Sequence, residues 1–304
     1  MIIEKQNRVK RFKIPKGATP YLFVLPIVLV IAAIILYPLL RNISMSFFEN
    51  YLARPQNNDW NNFKNYTDLF KDRYFWGSAK VTGIYISITV VLRFILGFFI
   101  GLLLHQKLHF RGLARALIII PWAIPDVVAC LVWIQMFDFQ YGIINHFLLS
   151  ANFLKEPVDW LSSIQLSLPA AMVVNVWKGT SWVAIMILAG LQNIPEDLYE
   201  AAEVDGANSI KKLINVTIPL LRPVLVAVFL LLVIWSIKDF AIIYILNRGG
   251  PVHATEVLTI YIYLKAFKDL KMGVAAAAGV ILLAISMIFT IAYLKFLDKG
   301  DETW

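Results

Sequence analysis

Charge and sulfur are both scarce in this chain. Charged residues make up 16% of its 304 positions, against about a quarter in an ordinary soluble domain. A single cysteine, Cys130, excludes an intrachain disulfide and carries no information on redox compartment. Lying in an apolar run, it reads as a small buried hydrophobe. No Gly-x-x-x-x-Gly-Lys-[Ser/Thr] order is present, since Lys178-Gly-Thr180 lacks the preceding glycine loop, so the chain is not an ATPase. The four histidines, His105, His109, His146 and His253, have no metal-ligand clustering. His105 and His109 are four apart but flank Lys107 in a basic stretch, and read as a solvated pair. Neither a Gly-x-Ser-x-Gly nor an intramembrane Ser-His or Asp-Asp pattern occurs. The chain is therefore not expected to be an enzyme on its own or to hold a cofactor or metal.

Apolar residues are abundant. They reach 59%, with a mean hydropathy of +0.69, and gather into six runs at roughly 21–40, 81–104, 116–137, 168–191, 224–246 and 274–296. Each is close to the ~20 residues that cross a bilayer core as a helix. The expectation is an all-α integral membrane protein with six transmembrane helices over 21–297 and no separate soluble domain. The first run exceeds the ~7–15 residue core of a cleavable signal, and no small-residue cleavage site follows before Arg41.

The net charge of +8 does not point to nucleic acid, because the cations sit at membrane edges. Lys5, Arg8, Lys10, Arg11, Lys13 and Lys16 make residues 1–20 a basic cytoplasmic tail drawn to anionic lipid. Further inside cations are Lys107, Arg111, Arg115, Lys211, Lys212 and Arg222. The first outer loop is also basic, with Arg41, Arg54, Lys64, Lys71, Arg73 and Lys80. Orientation by charge thus rests on the dense tail. Six spans then put both termini inside, including a short C-terminal tail at 298–304.

Between runs four and five lies a polar, acid-rich segment, 192–222. Pro195 stands one residue into a helix start, with Glu196 and Asp197 in the first turn where the dipole favours negative charge. Ala201 and Ala202 keep one face flat, and Gly206-Ala207 allows a bend. Asn208 or Ser209 can cap a second short helix closed by Pro219. This helix–bend–helix suits docking into another protein's groove. Glu200, Ala201, Ala202, Gly206, Ile218 and Pro219, with the Asp205-Gly206-Ala207 step, resemble the cytoplasmic Glu-Ala-Ala loop of binding-protein-dependent ABC importer permeases, in particular their sugar-uptake branch. The resemblance implies that Glu200, Ala201, Ala202, Asp205, Gly206 and Ala207 couple to an ATPase.

Two other stretches are similar to that family in the same order along the chain. Trp60-Asn-Asn-Phe-Lys-Asn-Tyr66, with Leu69, Phe70, Asp72, Phe75 and Trp76, precedes the second span; physically it is an aromatic-rich element at headgroup level. Gly249-Gly-Pro251, a turn by composition, is followed by Thr255, Tyr261, Tyr263, Ala266 and Phe267. Residues 256–270 read as an amphipathic helix on the outer interface, with Val257, Ile260, Tyr261, Leu264 and Phe267 at helical spacing. Pro121 and Pro125 predict a kink or wide turn near the inner end of span three. Gly273, Ala275 to Ala278 and Gly279 give span six a small-residue face, for packing within the chain or against another permease.

Five ionisable residues fall inside the runs: Arg93, Asp126, Lys178, Lys238 and Asp239. Such groups are costly in lipid and mark function by default. Asp126, beside Pro125, could simply cap a half-helix. Asn175-Val-Trp-Lys-Gly179 and Trp235-Ser-Ile-Lys-Asp-Phe240 resemble the cavity-lining stretches of maltose-type permeases. By that resemblance Asn175, Lys178, Gly179, Trp235, Ser236, Lys238 and Asp239 face a substrate pathway, Gly179 leaving room for a sugar ring. Aromatic faces and amide, hydroxyl or carboxylate partners are what a sugar needs; the two lysines hint at an acidic or phosphorylated one.

The resemblance implies half of a heterodimeric importer in a bacterial plasma membrane. Its partners would be a second homologous permease, two cytoplasmic ATPase subunits, an external solute-binding protein, a carbohydrate and the surrounding lipid. The rival from another class is a stand-alone channel or ion-coupled carrier with Arg93, Lys178 and Asp239 as a relay.

Overall fold

Apolar backbone in lipid must satisfy its own hydrogen bonds, and helices do so. The computed structural model describes residues 19–51, 59–106 and 109–301, with no side-chain detail at 19, 20, 22 and 296–301. The cations of the basic tail, Arg54, Lys107 and residues 302–304 lie outside it. Among the described residues the fold is all-α, with two isolated bridges, Phe48 with Trp60 and Tyr51 with Lys271, in place of any strand.

Span one is α1 (Thr19–Ile31), a π-helical segment (Ala32–Leu36) and α2 (Tyr37–Met45). Its side chains from 23 to 31 stand almost wholly exposed. At its far end, Asn65 of α3 (Lys64–Lys71) donates to the carbonyls of Ser46 (2.8 Å) and Phe48 (2.9 Å). The rings of Phe47, Trp60, Phe63 and Tyr66 pack around that junction. The Asn-Phe-x-Asn-Tyr stretch thus staples span one to the loop that follows.

Span two is α4 (Arg73–His105), opened by Asp72, whose carboxylate accepts the Tyr74 N–H at 2.8 Å. Span four is α8 (Ser167–Gln192). The two helices meet through glycine. A Cβ on Gly97 would fall 2.4 Å from Val183 Cβ, and one on Gly101 would fall 2.7 Å from Ile187 Cγ2. This four-residue spacing of small residues lets backbones approach in lipid, where packing drives association. Val90, Val183, Ile187, Leu221, Val228 and Leu232 fill the core below that contact.

Span three is two helices, α5 (Arg111–Ala123) and α6 (Asp126–Met136), bent by 95°. The break is not near the inner end, as the prolines suggested, but midway. Pro121 is accommodated inside α5. Ile124, crowded by the ring of Pro125, adopts an extended ψ of 131° and stops the helix.

Span five also differs from its reading as one run. Asn208 caps α10 (Ser209–Lys212), its side chain accepting the Lys211 N–H. Pro219 does not close this helix. A π-helical segment (Leu213–Thr217) leads directly into α11 (Ile218–Ile237), so Pro219 falls in a first turn, where no N–H is needed. The helix instead stops at Lys238, and α12 (Ala241–Asn247) resumes after Phe240.

On the loop side, which carries residues 192–217, α9 (Glu196–Val204) starts with Pro195 at the N-cap rather than inside. On the far side, α7 (Ile143–Ser150) was not anticipated; its buried Asn145 bonds Val158 and the Trp160 indole at 2.9 Å. Residues 256–270 do not form a surface helix. They fold as α13 (Leu258–Tyr263) and a π-helical segment (Leu264–Lys268), with Val257, Leu258, Ile260 and Tyr261 buried. The alternation read as amphipathic is satisfied by packing against neighbouring helices. The alanine run of α14 (Met272–Asp301) packs within the chain: Ala277 and Ala278 meet Leu69, Phe75, Leu258 and Tyr261. Asp72 ties these elements together, accepting Tyr261 Oη at 2.9 Å and pairing with Lys265 at 3.1 Å. Burial would push its carboxyl up, but bonds from the Tyr74 N–H, Tyr261 and Lys265 hold it below the usual carboxylate value.

Candidate functional site

Where span three breaks and span five breaks, the two interruptions face each other across α8. Between them is a cavity of about 460 Å³. All five ionisable residues from the apolar runs line it: Arg93, Asp126, Lys178, Lys238 and Asp239. A charge inside a span needs a partner or water, and this geometry supplies partners for four.

Arg93 is buried. Its Nε donates to the Thr89 carbonyl at 3.1 Å and its Nη2 to Ser236 Oγ. Asp239 sits in the non-helical link between α11 and α12. Its Oδ2 accepts from Tyr85 Oη at 2.7 Å and from Asn175 Nδ2, while Thr259 Oγ1 donates to its carbonyl at 2.6 Å. Lys178 Nζ pairs with Asp126 at 3.1 Å and donates to the Trp122 carbonyl, also at 3.1 Å. Asp126 occupies the first turn of α6 with Pro125 at the N-cap, so it contributes charge to the dipole and to Lys178 rather than a side-chain cap. Lys238 is exposed to the cavity and forms no ion pair or side-chain hydrogen bond among the described residues.

Six of the seven expected pathway residues, Asn175, Lys178, Gly179, Trp235, Lys238 and Asp239, line this cavity. Ser236 does not. It is buried, donates to the Leu232 carbonyl at 2.7 Å and accepts from Arg93, so it positions the guanidinium behind the wall. The reason for Gly179 also changes. A Cβ there would fall 2.3 Å from Arg93 Cδ, so the space it leaves is occupied by the arginine stem and not by a ring. Arg93, Trp122, Asp126 and Trp182 were missing from the expected lining. Trp182 was findable: Asn175, Lys178 and Trp182 follow one helical face of α8. It packs on Trp235 with ring centroids 4.6 Å apart.

The 196–208 segment stands apart from the cavity. Gly206 has φ +76°, its N–H bonds the Glu203 carbonyl at 3.0 Å, and the Ala207 N–H bonds the Ala202 carbonyl at 2.9 Å. These are the paired bonds of a Schellman helix end, which a left-handed residue makes possible. Lys212 pairs with Glu203 across the bend, and its hydrogen bond holds the Glu203 carboxyl below the usual glutamate value. Tyr199 Oη meets Thr217 Oγ1 at 3.1 Å. Glu200, Asp205 and Gly206 face outward from the spans.

Among the described residues, five helices long and apolar enough to cross a membrane, the bent α5–α6 pair as a sixth span, a polar cavity between two interruptions and a capped helix pair between spans four and five are the architecture of a membrane transport component. The chain belongs to the family of binding-protein-dependent transport system inner membrane components, whose pattern matches residues 93–300. It is 33% identical to the trehalose/maltose transport system permease protein MalF of Thermococcus litoralis, over 95% of this chain and 97% of that one. It is 34% identical to the sulfoquinovosyl glycerol transport system permease protein SmoG of Agrobacterium fabrum, over 92% of this chain and 90% of that one. In fold it is similar to a chain of a bacterial alginate ABC transporter solved in complex with an alginate pentasaccharide-bound periplasmic protein. There the TM-score is 0.78 at 20% identity, covering 90% of this chain and 92% of that one.

Proposed function

We propose that this chain forms half of the translocation pathway of an ATP-driven carbohydrate importer, with the cavity bounded by Arg93, Lys178, Trp235 and Asp239 as its substrate passage. The observation that carries this is the convergence of the five ionisable residues of the apolar runs, Arg93, Asp126, Lys178, Lys238 and Asp239, on one cavity that also presents Trp122, Trp182 and Trp235. Indole faces suit the C–H surface of a sugar, and amide and charged groups suit its hydroxyls. Relatives named for trehalose/maltose, sulfoquinovosyl glycerol and diacetylchitobiose uptake support the carbohydrate reading. Three cationic side chains face two carboxylates there, which favours a sugar bearing an acidic or phosphorylated group. Lys238, the one of the three cations without a side-chain partner among the described residues, is the group to meet it; Lys178 is already held by Asp126.

In this reading the 192–222 loop and both termini are cytoplasmic. A second, homologous permease completes the passage and an external binding protein delivers the sugar. Glu200, Ala201, Ala202, Asp205, Gly206 and Ala207 sit in a groove of one of two ATPase subunits. ATP binding closes the ATPase pair, α9 transmits the motion, and the passage turns outward; hydrolysis resets it. The ligand-dependent difference between the two states does the work, and the permease provides geometry.

The test is ATP-driven uptake into vesicles holding this chain, its partner permease, the ATPase and the binding protein, with neutral and acidic oligosaccharides compared. Uptake should need all four components, and Lys238→Ala should reduce acidic-sugar uptake about tenfold more than neutral-sugar uptake, a difference of ~1.4 kcal/mol. Uptake by this chain alone without ATP would overturn the importer reading. An equal loss for both sugar classes would remove Lys238 from charge recognition.

A further inference from the structure

A second cavity, of about 980 Å³, lies on the loop side, between the end of α4, the start of α5, the end of α8 and α9. It is independent of the substrate passage. Its lining includes His105, Arg111, Arg115, Lys212 and Glu196. Lys212 is paired with Glu203, and Glu196 is itself engaged. Arg111 and Arg115 form no ion pair among the described residues. Arg115 donates from Nη2 to the Leu104 carbonyl at 3.1 Å, and its Nε has no acceptor. One of its five N–H donors is therefore matched among the described residues. The first turn of α5 has no acidic residue and no capping side chain at Phe110, so its free N–H groups add to the positive field. Beside these cations, Leu103, Leu113 and Leu117 stand exposed on α4 and α5.

Basic side chains just below an exposed apolar helix face match an amphiphile with an anionic head. We propose that this cavity binds the phosphate group of an anionic phospholipid, with Arg111 and Arg115 as its ligands and the acyl chains along Leu113 and Leu117. Basic pockets between membrane helices take such headgroups, each cation contributing about fivefold in affinity. Because Glu196 and Tyr199 of α9 line the same cavity, an occupied site braces the helix that projects from the spans, and lipid composition tunes transport through it.

The experiment uses the whole importer, delipidated and reconstituted in nanodiscs of phosphatidylcholine with or without phosphatidylglycerol. Retained lipid is read by native mass spectrometry and transport by ATP-driven turnover. The wild type should retain phosphatidylglycerol over phosphatidylcholine. Arg111→Gln with Arg115→Gln should weaken that retention roughly thirtyfold, and Arg111→Gln alone, an exposed position that leaves the fold intact, roughly fivefold. Equal phosphatidylglycerol retention in wild type and variants would overturn the proposal. So would displacement of the lipid by millimolar inorganic phosphate with no effect of phosphatidylglycerol on turnover, which would assign the site to a free phosphate. Loss of the ATPase from the variant complex with lipid retention unchanged would assign the arginines to a protein interface, and would equally overturn it.

Discussion

The mid-membrane cavity and the α9–α10 loop are built on opposite plans. In the cavity, Arg93, Asp239, Tyr85, Asn175 and Ser236 hold one another through side chains drawn from α4, α8, α11 and the link to α12. Each is more than fifty residues from most of its partners in sequence. In the loop, shape comes from neighbours: Asn208 caps Lys211, Gly206 bonds Glu203, and Ala207 bonds Ala202. A buried polar network is costly to break, because an unpaired charge stays behind in a low dielectric. A locally capped loop can be altered without disturbing the spans. The lesson is that the passage is fixed by tertiary pairing and the projecting helix by backbone conformation, so damage should separate cleanly between them.

The largest expected effect breaks the cavity side. Arg93→Leu removes the buried guanidinium that donates to Ser236 Oγ and the Thr89 carbonyl, and takes one of three cations from the cavity that holds Asp239. Losing hydrogen bonds to a buried charged group costs about 1.5–3 kcal/mol, which should appear as a clear drop in melting temperature in detergent. A melt within a degree or two of wild type would show that the Arg93 bonds do not hold the wall of the cavity. Gly179→Ala tests the same network from the other side. Its Cβ would meet Arg93 Cδ at 2.3 Å, an overpacking worth about 1–3 kcal/mol. It should lower the melting temperature, and beside Arg93→Ala, which removes that Cδ, the same Gly179→Ala change should cost little further. A fully stable Gly179→Ala would mean that the arginine stem moves freely and that the glycine serves the passage instead.

The same contrast explains what was legible in the sequence. The loop was readable nearly to the residue, since Glu196, Gly206 and Asn208 act within a turn of themselves. It was misread at two prolines: Pro195 is the N-cap and not the first helical residue, and Pro219 is no stop, because a π-helical segment that no short-range signal announces carries the chain into α11. The six spans were readable because lipid demands long apolar runs. Their interruptions were not. Pro121 and Pro125 are equivalent by composition, and only packing decides that the break falls at Ile124. Lys238 and Asp239 were visible as charges, yet the helix end beneath them depends on Tyr85 and Asn175 arriving from other spans. Arg93 was visible as a charge in need of a partner, but its place was not, because the space it fills is the missing side chain of Gly179 on another helix. The Gly97 and Gly101 spacing carried a packing signal that was readable from sequence and went unused.

A middle-sized effect is expected at Gly206. A Cβ there meets nothing within 4 Å, while φ is +76°, so Gly206→Ala costs only the left-handed conformation, about 1–2 kcal/mol. ATP-driven uptake and ATPase affinity should fall about fivefold to thirtyfold while the thermal stability of the spans stays unchanged. Gly206→Asp adds negative charge beside the C-terminal end of α9, where the dipole disfavours it, and should be worse. Gly206→Asn, which tolerates the left-handed region, should recover most of the loss. Equal defects in the alanine and asparagine variants would show that the surface and not the backbone bend is read by the partner.

The smallest effect belongs to the Glu203–Lys212 pair, and it sharpens the contrast most. The pair closes the bend between α9 and α10, but the Glu203 side chain is 75% exposed, where ion pairs are weak and screened by salt. Its hydrogen bond to Lys212 lowers the Glu203 carboxyl from an ordinary value of 4.5. A carboxylate depressed on folding stabilises the folded form above its unfolded value and loses that contribution as pH falls through the folded one. The pair is therefore fully formed at neutral pH, and weakens only in acid below about pH 4.5. Glu203→Gln should leave the melting temperature and uptake at neutral pH unchanged and abolish only the salt dependence of ATPase affinity that the pair contributes. If Glu203→Gln instead damaged uptake as much as Gly206→Ala does, the loop would owe its shape to a long-range charge contact, as the cavity does, and the division between tertiary pairing and backbone conformation would not hold.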